Sequence, residues 1–555
     1  MTEEVKEMLK QHLNRLKHLL ILYRLPLIIG VISFFVYINA LFNGFVFDDL
    51  ALIKDSDVIK NFKYIPQIFS ENLWGFLARS SNYYRPFVPL MYMVTYHIFG
   101  PRPWAFHLVN LLFHAGTCIL VYGIINRLVT KTPPRSQDND FTAPSFMAAV
   151  LFATHPIHTE AVTWIAGIMD LSCGFFSLLT FYLFIYSNKN APSHVPYFLS
   201  FVSLLLATLC KEPAILLPFI LFLYAFLIGT EKKKSFLNAM TKCIPYIFVI
   251  AVYLSLRLYA LKGLAPQNNP RGLSFHEGFI NIFLIFSKYV ANLILPINLN
   301  INYFMRPISS VLSFDGVLAI LLTTLFLSCT FIALKRNKVA FLGFVFIVVP
   351  LLPALYLPGL AQSVEGAITD RYLYLPSFGF ILVVASLLME VENILRGWSK
   401  IFLAILISAI ILFYLTMTVA RNNIWENNLT LWSDSLRKSP ESSWTHENLG
   451  YALLYAGKTE EGTKHLQIAR KLDPTIHDRM IEAGVAYSNK GLQKEAIFAF
   501  NKALLFDPDS AVAHYNLGLA YHEKGWIIQA IEQGHVNNFV SAREGCEYLL
   551  SSFHT

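Results

Sequence analysis

The chain has 555 residues, of which 55% are hydrophobic, 15% aromatic and only 14% charged, with a mean hydropathy of +0.49. Soluble domains carry about 25% charged residues, so the bulk of this chain belongs in lipid. Low charge, six scattered cysteines and no basic, aromatic-laced tract exclude a disordered chain, a disulfide scaffold and a nucleic-acid module.

The charges divide the chain. Residues 1–420 carry 31 Lys+Arg against 20 Asp+Glu, and residues 421–555 carry 13 against 16. A basic membrane part therefore joins a mildly acidic soluble part near Arg421. The expected organisation is an N-terminal arm over 1–24, a membrane domain over 25–420, a repeat domain over 421–534 and an irregular tail over 535–555.

In chain order, the arm is rich in Lys and Arg and leads into an apolar run with no small-residue cleavage site before Asp48, so it is read as an anchor rather than a cleaved signal. A spanning helix needs about 20 apolar residues. Eleven stretches approach this: 25–42, 104–127, 144–163, 167–187, 195–210, 213–229, 240–261, 314–334, 339–358, 373–390 and 401–420. Segments 86–99 and 278–297 are apolar but interrupted, and are expected to be interfacial or re-entrant. With the eleven spans alone, the arm, Lys232-Lys233-Lys234, Lys335 to Lys338, and Arg396 with Lys400 share one side, which is cytoplasmic by their charge. The loops 43–103, 155–168, 262–313 and 359–372, the Lys211-Glu212 junction and everything after 420 then share the opposite, lumenal or periplasmic side.

Polar residues cluster on that side. Asp48 and Asp49 form a vicinal carboxylate pair just after the first span, the kind of pair in which one member takes a proton and its neighbour orients it or the substrate; a solvated loop or a helix cap is the structural alternative. Tyr84-Arg85-Pro86 follows, with an Arg able to grip phosphate or to snorkel to headgroups. His155, His158 and Glu160, with Asp170 beyond, place ionisable groups in membrane sequence, where function is the default expectation. Their spacing is a weak metal signature, and no metal site is expected. Lys211-Glu212 sits between two spans, either as a local salt bridge or as a phosphate contact. Asp370-Arg371-Tyr372 pairs an anion-binding Arg with a carboxylate expected to fix its rotamer.

Beyond Arg421 the sequence repeats. Pro440, Pro474 and Pro508; Gly450, Gly484 and Gly518; and Gly457, Gly491 and Gly525 recur every 34 residues, the tetratricopeptide period. Trp432 falls in register with Leu466 and Phe500, which predicts a lone second helix over 426–438, about two full repeats, and a third that decays after Ala530. Such a stack suits protein or peptide binding.

The strings FDDL, NYYRPF, HPIHTEAVTWIAGIMDL, CKEP, LPINLNINY and DRYLYLPS, followed by the repeats, resemble the transmembrane and tetratricopeptide-repeat-containing protein O-mannosyltransferases. The resemblance implies an all-α, GT-C-like membrane bundle with a short tetratricopeptide α-solenoid. It also implies transfer of mannose from a polyprenyl or dolichyl phosphate to Ser or Thr hydroxyls of proteins, in the endoplasmic reticulum of a eukaryote or at a bacterial inner membrane. No cofactor is implied beyond this lipid-linked donor, and a divalent metal is not required. Asp48 would be the base and Asp49 its orienting partner; Arg371, Arg85 and Lys211 would meet the leaving phosphate, with His155, His158, Glu160, Glu212, Asp370 and Tyr372 around them. The carrier's tail would run near 278–297, and the repeats would engage the acceptor protein. Family members usually carry Glu where this chain has Asp370, and more repeats. The competing readings are a non-catalytic membrane scaffold or chaperone that binds proteins through its repeats, and a transporter.

Overall fold

Helix is the regular structure of this chain: among the described residues there is no strand. The computed structural model describes residues 24–77, 81–129, 144–189, 194–229, 236–263, 275–355 and 368–536. The arm up to residue 23, Lys232 to Lys234 and the tail after 536 lie outside them. The described chain forms two compact units, Met1–Leu73 with Asn82–Asn427, and Trp74–Ser81 with Asn428–Thr555.

The first unit contains α1 (Arg24–Val36), α2 (Ile65–Ser70), α3 (Phe87–Phe99), α4 (Pro103–Val129), α5 (Pro144–Thr154), α6 (Thr159–Thr163), α7 (Ile168–Lys189), α8 (His194–Cys210), α9 (Leu217–Leu227) and α10 (Phe236–Leu261). It continues with α11 (Phe275–Ile294), α12 (Phe314–Arg336), α13 (Lys338–Leu355), α14 (Tyr374–Ile394) and α15 (Trp398–Asn422). Eight of the described helices are long and apolar enough to cross a membrane, against eleven stretches expected. Four expected spans are shorter or broken. Run 25–42 ends as helix at Val36 and continues as a 3-10 turn, Ile38–Phe42. Run 144–163 breaks after α5, where Pro156 supplies no amide hydrogen and His155 caps the next turn by accepting from Ile157 N. Run 195–210 is a 17-residue helix, and run 213–229 begins in a 3-10 turn around Pro213 before α9.

Segment 278–297 departs in the other direction. Instead of an interrupted interfacial piece, it is largely the continuous 20-residue α11, long and apolar enough to span. Its asparagines find partners rather than breaking the helix: Asn281 donates to Glu277 O (2.8 Å) and Ile308 O (3.0 Å), and Asn292 donates to Tyr303 Oη (3.0 Å). Segment 86–99 is α3, whose 13 residues rise only about 20 Å, well short of the hydrocarbon thickness. Close helix contact is visible where α13 meets α14: a Cβ on Gly379 would lie 2.4 Å from Gly343 O, so only glycine allows this approach.

The helix ends define one polar face. Asp170 lies in the first turn of α7, Lys211 follows the last residue of α8, and Glu212 opens the turn into α9. Arg257 lies in the last turns of α10, Asp370 and Arg371 begin the 3-10 turn before α14, and Arg421 closes α15. Lys335 with Arg336, and Lys400, lie at the other ends of α12 and α15. Lys400 is about 30 Å along α15 from Arg421 at 1.5 Å per residue.

The second unit is a helical-hairpin stack: α16 (Asn428–Lys438), α17 (Ser443–Tyr455), α18 (Thr459–Leu472), α19 (Thr475–Ser488), α20 (Gln493–Phe506), α21 (Ala511–Glu523) and α22 (Ile527–Val536). As expected, a lone helix precedes the pairs, and Trp432, Leu466 and Phe500 are all buried at equivalent positions. Gly457, Gly491 and Gly525 each adopt positive φ (78°, 72° and 76°), ending the first helix of each pair where a side chain would be strained.

Two histidines one double period apart fix their hairpins alike. His446 Nε2–H donates to Pro440 O (3.1 Å), leaving Nδ1 to face His465 Nδ1 (2.9 Å); His514 meets Pro508 O (2.8 Å) and Gln533 (2.7 Å) in the same way. Burial lowers the pKa of both His446 and His465, and His446 adds to the lowering at His465. A histidine with a depressed folded pKa contributes stability above its unfolded pKa of about 6.5, and that stability is lost as pH falls. Acidification of the full chain from pH 7.5 to 5.5 is therefore expected to reduce hydrogen-exchange protection of α17 and α18 more than of α19 and α20. His465→Gln, which copies the His514–Gln533 pairing, should remove the excess; unchanged protection in the wild type would refute it.

Candidate functional site

The first loop is shaped by its own carboxylate. Asp49 Oδ2 accepts from Val46 N (3.1 Å), closing a tight turn, and Oδ1 accepts from Ala166 N (2.9 Å), fastening that turn to the segment between α6 and α7. Inside the turn Phe47 is held at φ 50°, a left-handed conformation costly for a bulky residue and characteristic of functional sites. Asp49 is fully buried, and burial pushes its pKa well above the ordinary carboxylate range, against the pull of the two amides. Asp48, its neighbour, is only half-buried. The pair is thus divided by environment: one carboxylate is a fully buried, fixed part of the fold, and the other residue is only half-buried.

Trp164 connects this turn to a set of cations. Its ring lies 5.9 Å from Phe47, stacks on Trp425 at 6.0 Å, and carries the Arg371 guanidinium 5.2 Å from its centre. Arg371 is ion-paired with the fully buried Glu160, whose second oxygen accepts from Arg371 N (3.2 Å). The Tyr372 ring lies beneath two cations, Lys211 Nζ at 4.4 Å and Arg371 at 5.3 Å. Lys211 pairs with Asp170 at 2.5 Å, and burial draws its ammonium pKa downward against the pull of that carboxylate. Arg85 grips Glu212 through Nε (3.2 and 3.1 Å) and NH2 (2.7 Å). Although burial disfavours the Arg85 charge, Glu212 raises its pKa on balance.

The expected local pairings are not the ones made. Asp370 does not set the rotamer of Arg371; its carboxylate accepts from Arg421 (3.2 Å), Tyr303 Oη (2.8 Å) and Asn292 (3.4 Å), while Arg371 turns to Glu160. Lys211 and Glu212 likewise pair with distant partners and not with each other. Asp370 and Arg371 are successive residues of a 3-10 turn and point about 120° apart, while Lys211 is the extended residue that leads into the turn opened by Glu212, so neighbours in sequence face different elements. His155 and His158 are corrected more strongly. Both are wholly buried behind the ionic face, His155 bonding Leu293 O (3.1 Å) and packing on Tyr414, and His158 meeting Ser377 Oγ (2.7 Å) and the Tyr374 ring. They support the helix junction and do not line it. Among the described residues no group of three or more His, Cys, Asp or Glu is arranged to hold a metal ion.

The structure brings together Asp48, Asp49, Glu160, Arg371, Tyr372, Lys211, Glu212 and Arg85, and adds members that sequence reasoning passed over. Arg257 approaches Glu212 (3.5 Å), Arg421 holds Asp370, and Trp164 bridges the two halves. An arginine in the last turns of an apolar helix is itself a signal; Arg257 and Arg421 both carry it, although Arg421 served above only as a boundary and Arg257 was not singled out.

Removing one partner of a buried ion pair leaves an uncompensated charge costing about 3–5 kcal/mol, whereas replacing both is often nearly neutral. Glu160→Ala is expected to lower the unfolding free energy by that amount and Glu160→Ala with Arg371→Met by much less, read as thermal unfolding of the full chain in detergent. Equal losses would show that the pair is not coupled.

A family described as TPR repeat matches residues 484–525, from the end of α19 through α20 and α21 to the glycine turn after it. Over 457 residues the chain is 28% identical to a Caenorhabditis elegans protein O-mannosyl-transferase, covering 81% of this chain and 63% of that protein. It is 26% identical over 523 residues to the human protein O-mannosyl-transferase TMTC3, covering 86% of this chain and 54% of the relative. A Drosophila melanogaster protein O-mannosyl-transferase, Tmtc3, is 26% identical over 576 residues, 91% of this chain and 60% of its own length. The chain thus spans somewhat over half the length of these relatives. Through most of its own length it is similar to proteins named protein O-mannosyl-transferases.

Proposed function

We propose that the chain is a membrane glycosyltransferase that moves mannose from a polyprenyl phosphate carrier, dolichyl in a eukaryote, to Ser or Thr hydroxyls of acceptor proteins. The observation that carries this reading is the division of the acidic pair: a half-buried Asp48 beside an anchored Asp49, joined through Trp164 to buried cations at one set of helix ends. The names of the relatives support the reaction class.

The step is a single displacement. The acceptor hydroxyl oxygen attacks the anomeric carbon while the bond from that carbon to the phosphate oxygen breaks. Asp48 takes the hydroxyl proton, and the configuration inverts. Asp49 holds the loop that carries Asp48, its two oxygens accepting from Val46 N and Ala166 N. The leaving phosphate gains charge and is met by preorganised cations, Arg371 first, then Arg85 and Lys211. No cofactor beyond the lipid-linked donor enters this step. A polyprenyl carrier holds its phosphate at headgroup level, where helix ends lie. The proposed compartment is the endoplasmic reticulum lumen of a eukaryote, or the periplasmic side of a bacterial inner membrane. The tetratricopeptide unit, which follows α15 in the chain, is proposed to engage the acceptor protein on that side.

General-base catalysis contributes about 10²- to 10⁴-fold. Asp48→Asn is expected to reduce kcat for transfer from polyprenyl phosphate mannose to a β-sandwich acceptor by that factor, with thermal unfolding unchanged. Transfer at the wild-type rate would remove Asp48 from the role of base.

A further inference from the structure

The cations of the polar face are not equally matched. Among the described residues, Arg371 has Glu160, Lys211 has Asp170 and Arg421 has Asp370, each a one-to-one pair. Arg85 and Arg257 share one carboxylate, Glu212. The sharing is uneven. Arg85 holds both Glu212 oxygens by hydrogen bonds, whereas Arg257 NH1 comes only to 3.5 Å from Oε1 without the alignment of a hydrogen bond. Arg257 NH1 is buried and has no hydrogen-bond partner. The guanidinium stays within ion-pair distance of Glu212 and also meets the Tyr253 hydroxyl, so what a bound anion would add is the aligned acceptor that NH1 lacks.

Two further features say what kind of anion. The Arg257 and Glu212 side chains keep 15% and 20% of their surface, so a ligand can reach them from outside. On the same helix, Leu254, one turn before Arg257, and Leu258, stacked on Leu254 at i+4, are exposed to 37% and 42%, an apolar edge next to the charge. An anion with a long hydrocarbon tail meets both demands at once, its head at Arg257 and its chain along α10.

We propose that Arg257 is the primary contact for the phosphate of the polyprenyl carrier, forming with Arg85 a two-guanidinium clamp at the lipid-facing end of α10. The proposal rests on the reading above that the chain takes a polyprenyl phosphate donor. It places the carrier's tail along α10, whereas the sequence alone suggested the neighbourhood of 278–297. Arginine suits the position because its planar fork can bind two phosphate oxygens together, which a lysine ammonium cannot. Arg371, already committed to Glu160, would stabilise charge arising at the departing oxygen rather than hold the resting phosphate.

The test is binding to the full-length chain in nanodiscs of neutral lipid, with polyprenyl monophosphate as probe, so that no transfer is required. Polyprenol, inorganic phosphate and nanodiscs containing phosphatidylserine are the comparison arms. The wild type should bind polyprenyl phosphate and not polyprenol. Arg257→Gln should weaken that binding about tenfold or more, raise KM for polyprenyl phosphate mannose by the same ratio, and leave kcat within about threefold. Arg257→Lys, which keeps the charge and guards against misfolding of the first variant, should fall between the two. Wild-type affinity in Arg257→Lys, or in a folded Arg257→Gln, would overturn the assignment to Arg257 while leaving the carrier reading intact. Protection by inorganic phosphate or phosphatidylserine equal to that by polyprenyl phosphate would overturn the proposal in favour of a general anion site. A wild type that neither binds polyprenyl phosphate nor transfers mannose would reject the carrier reading and this proposal together.

Discussion

The membrane unit depends on a crossed pattern of buried ion pairs. Glu160 holds Arg371, Asp170 holds Lys211, Glu212 holds Arg85, and Asp370 holds Arg421. Every pair joins segments far apart in sequence, and together they tie the ends of α7, α8, α9, α14 and α15 into one face. Buried pairs are poor sources of net stability, because desolvation offsets most of the attraction. Their value here is positional: each pairing is satisfied in one arrangement of helix ends and leaves an uncompensated charge in any other. Apolar packing brings the helices together, since any apolar surface can bury any other, and the ion pairs select the register.

That register places the chemistry. Asp49 can clamp the first loop only because the Ile165–Gly167 turn presents the Ala166 amide, and this turn is positioned by the break at Pro156 and the Glu160–Arg371 pair beside it. The strained Phe47 is the local consequence. The contacts that hold Asp49 wholly inside leave Asp48 half-buried, so environment rather than residue type separates two identical carboxylates. His155 and His158, which sequence alone would enlist, serve behind the face as hydrogen-bonding struts between α11, α14 and α15.

Periodicity and composition carry the large-scale reading well. The apolar runs became helices and the 34-residue recurrence became hairpins ended by positive-φ glycines; of the candidate residues, the charged ones at helix ends form ion pairs there, while His155 and His158 lie behind them. Partner choice was not legible. Asp370 beside Arg371, and Lys211 beside Glu212, invite local pairing on the page, and only the backbone of the turns, 3-10 at Asp370-Arg371 and extended at Lys211, sends adjacent side chains to different helices. Asn281 and Asn292 looked like interruptions because a sequence cannot show that Ile308 and Tyr303 lie ready to satisfy them. Arg257 and Arg421 were overlooked for a similar reason: a charge at a helix end is ordinary until its surroundings prove to be buried.

In the proposed reaction one face gathers the base and the phosphate-binding cations around a lipid-linked sugar. A structure of the full chain with a non-hydrolysable polyprenyl phosphonate analogue of the donor would locate both. The phosphorus is expected within ion-pairing distance of the Arg85, Arg257 and Arg371 guanidinium groups, and the anomeric carbon exposed toward Asp48. A donor analogue bound away from these arginines, or with its anomeric carbon turned from Asp48, would contradict it.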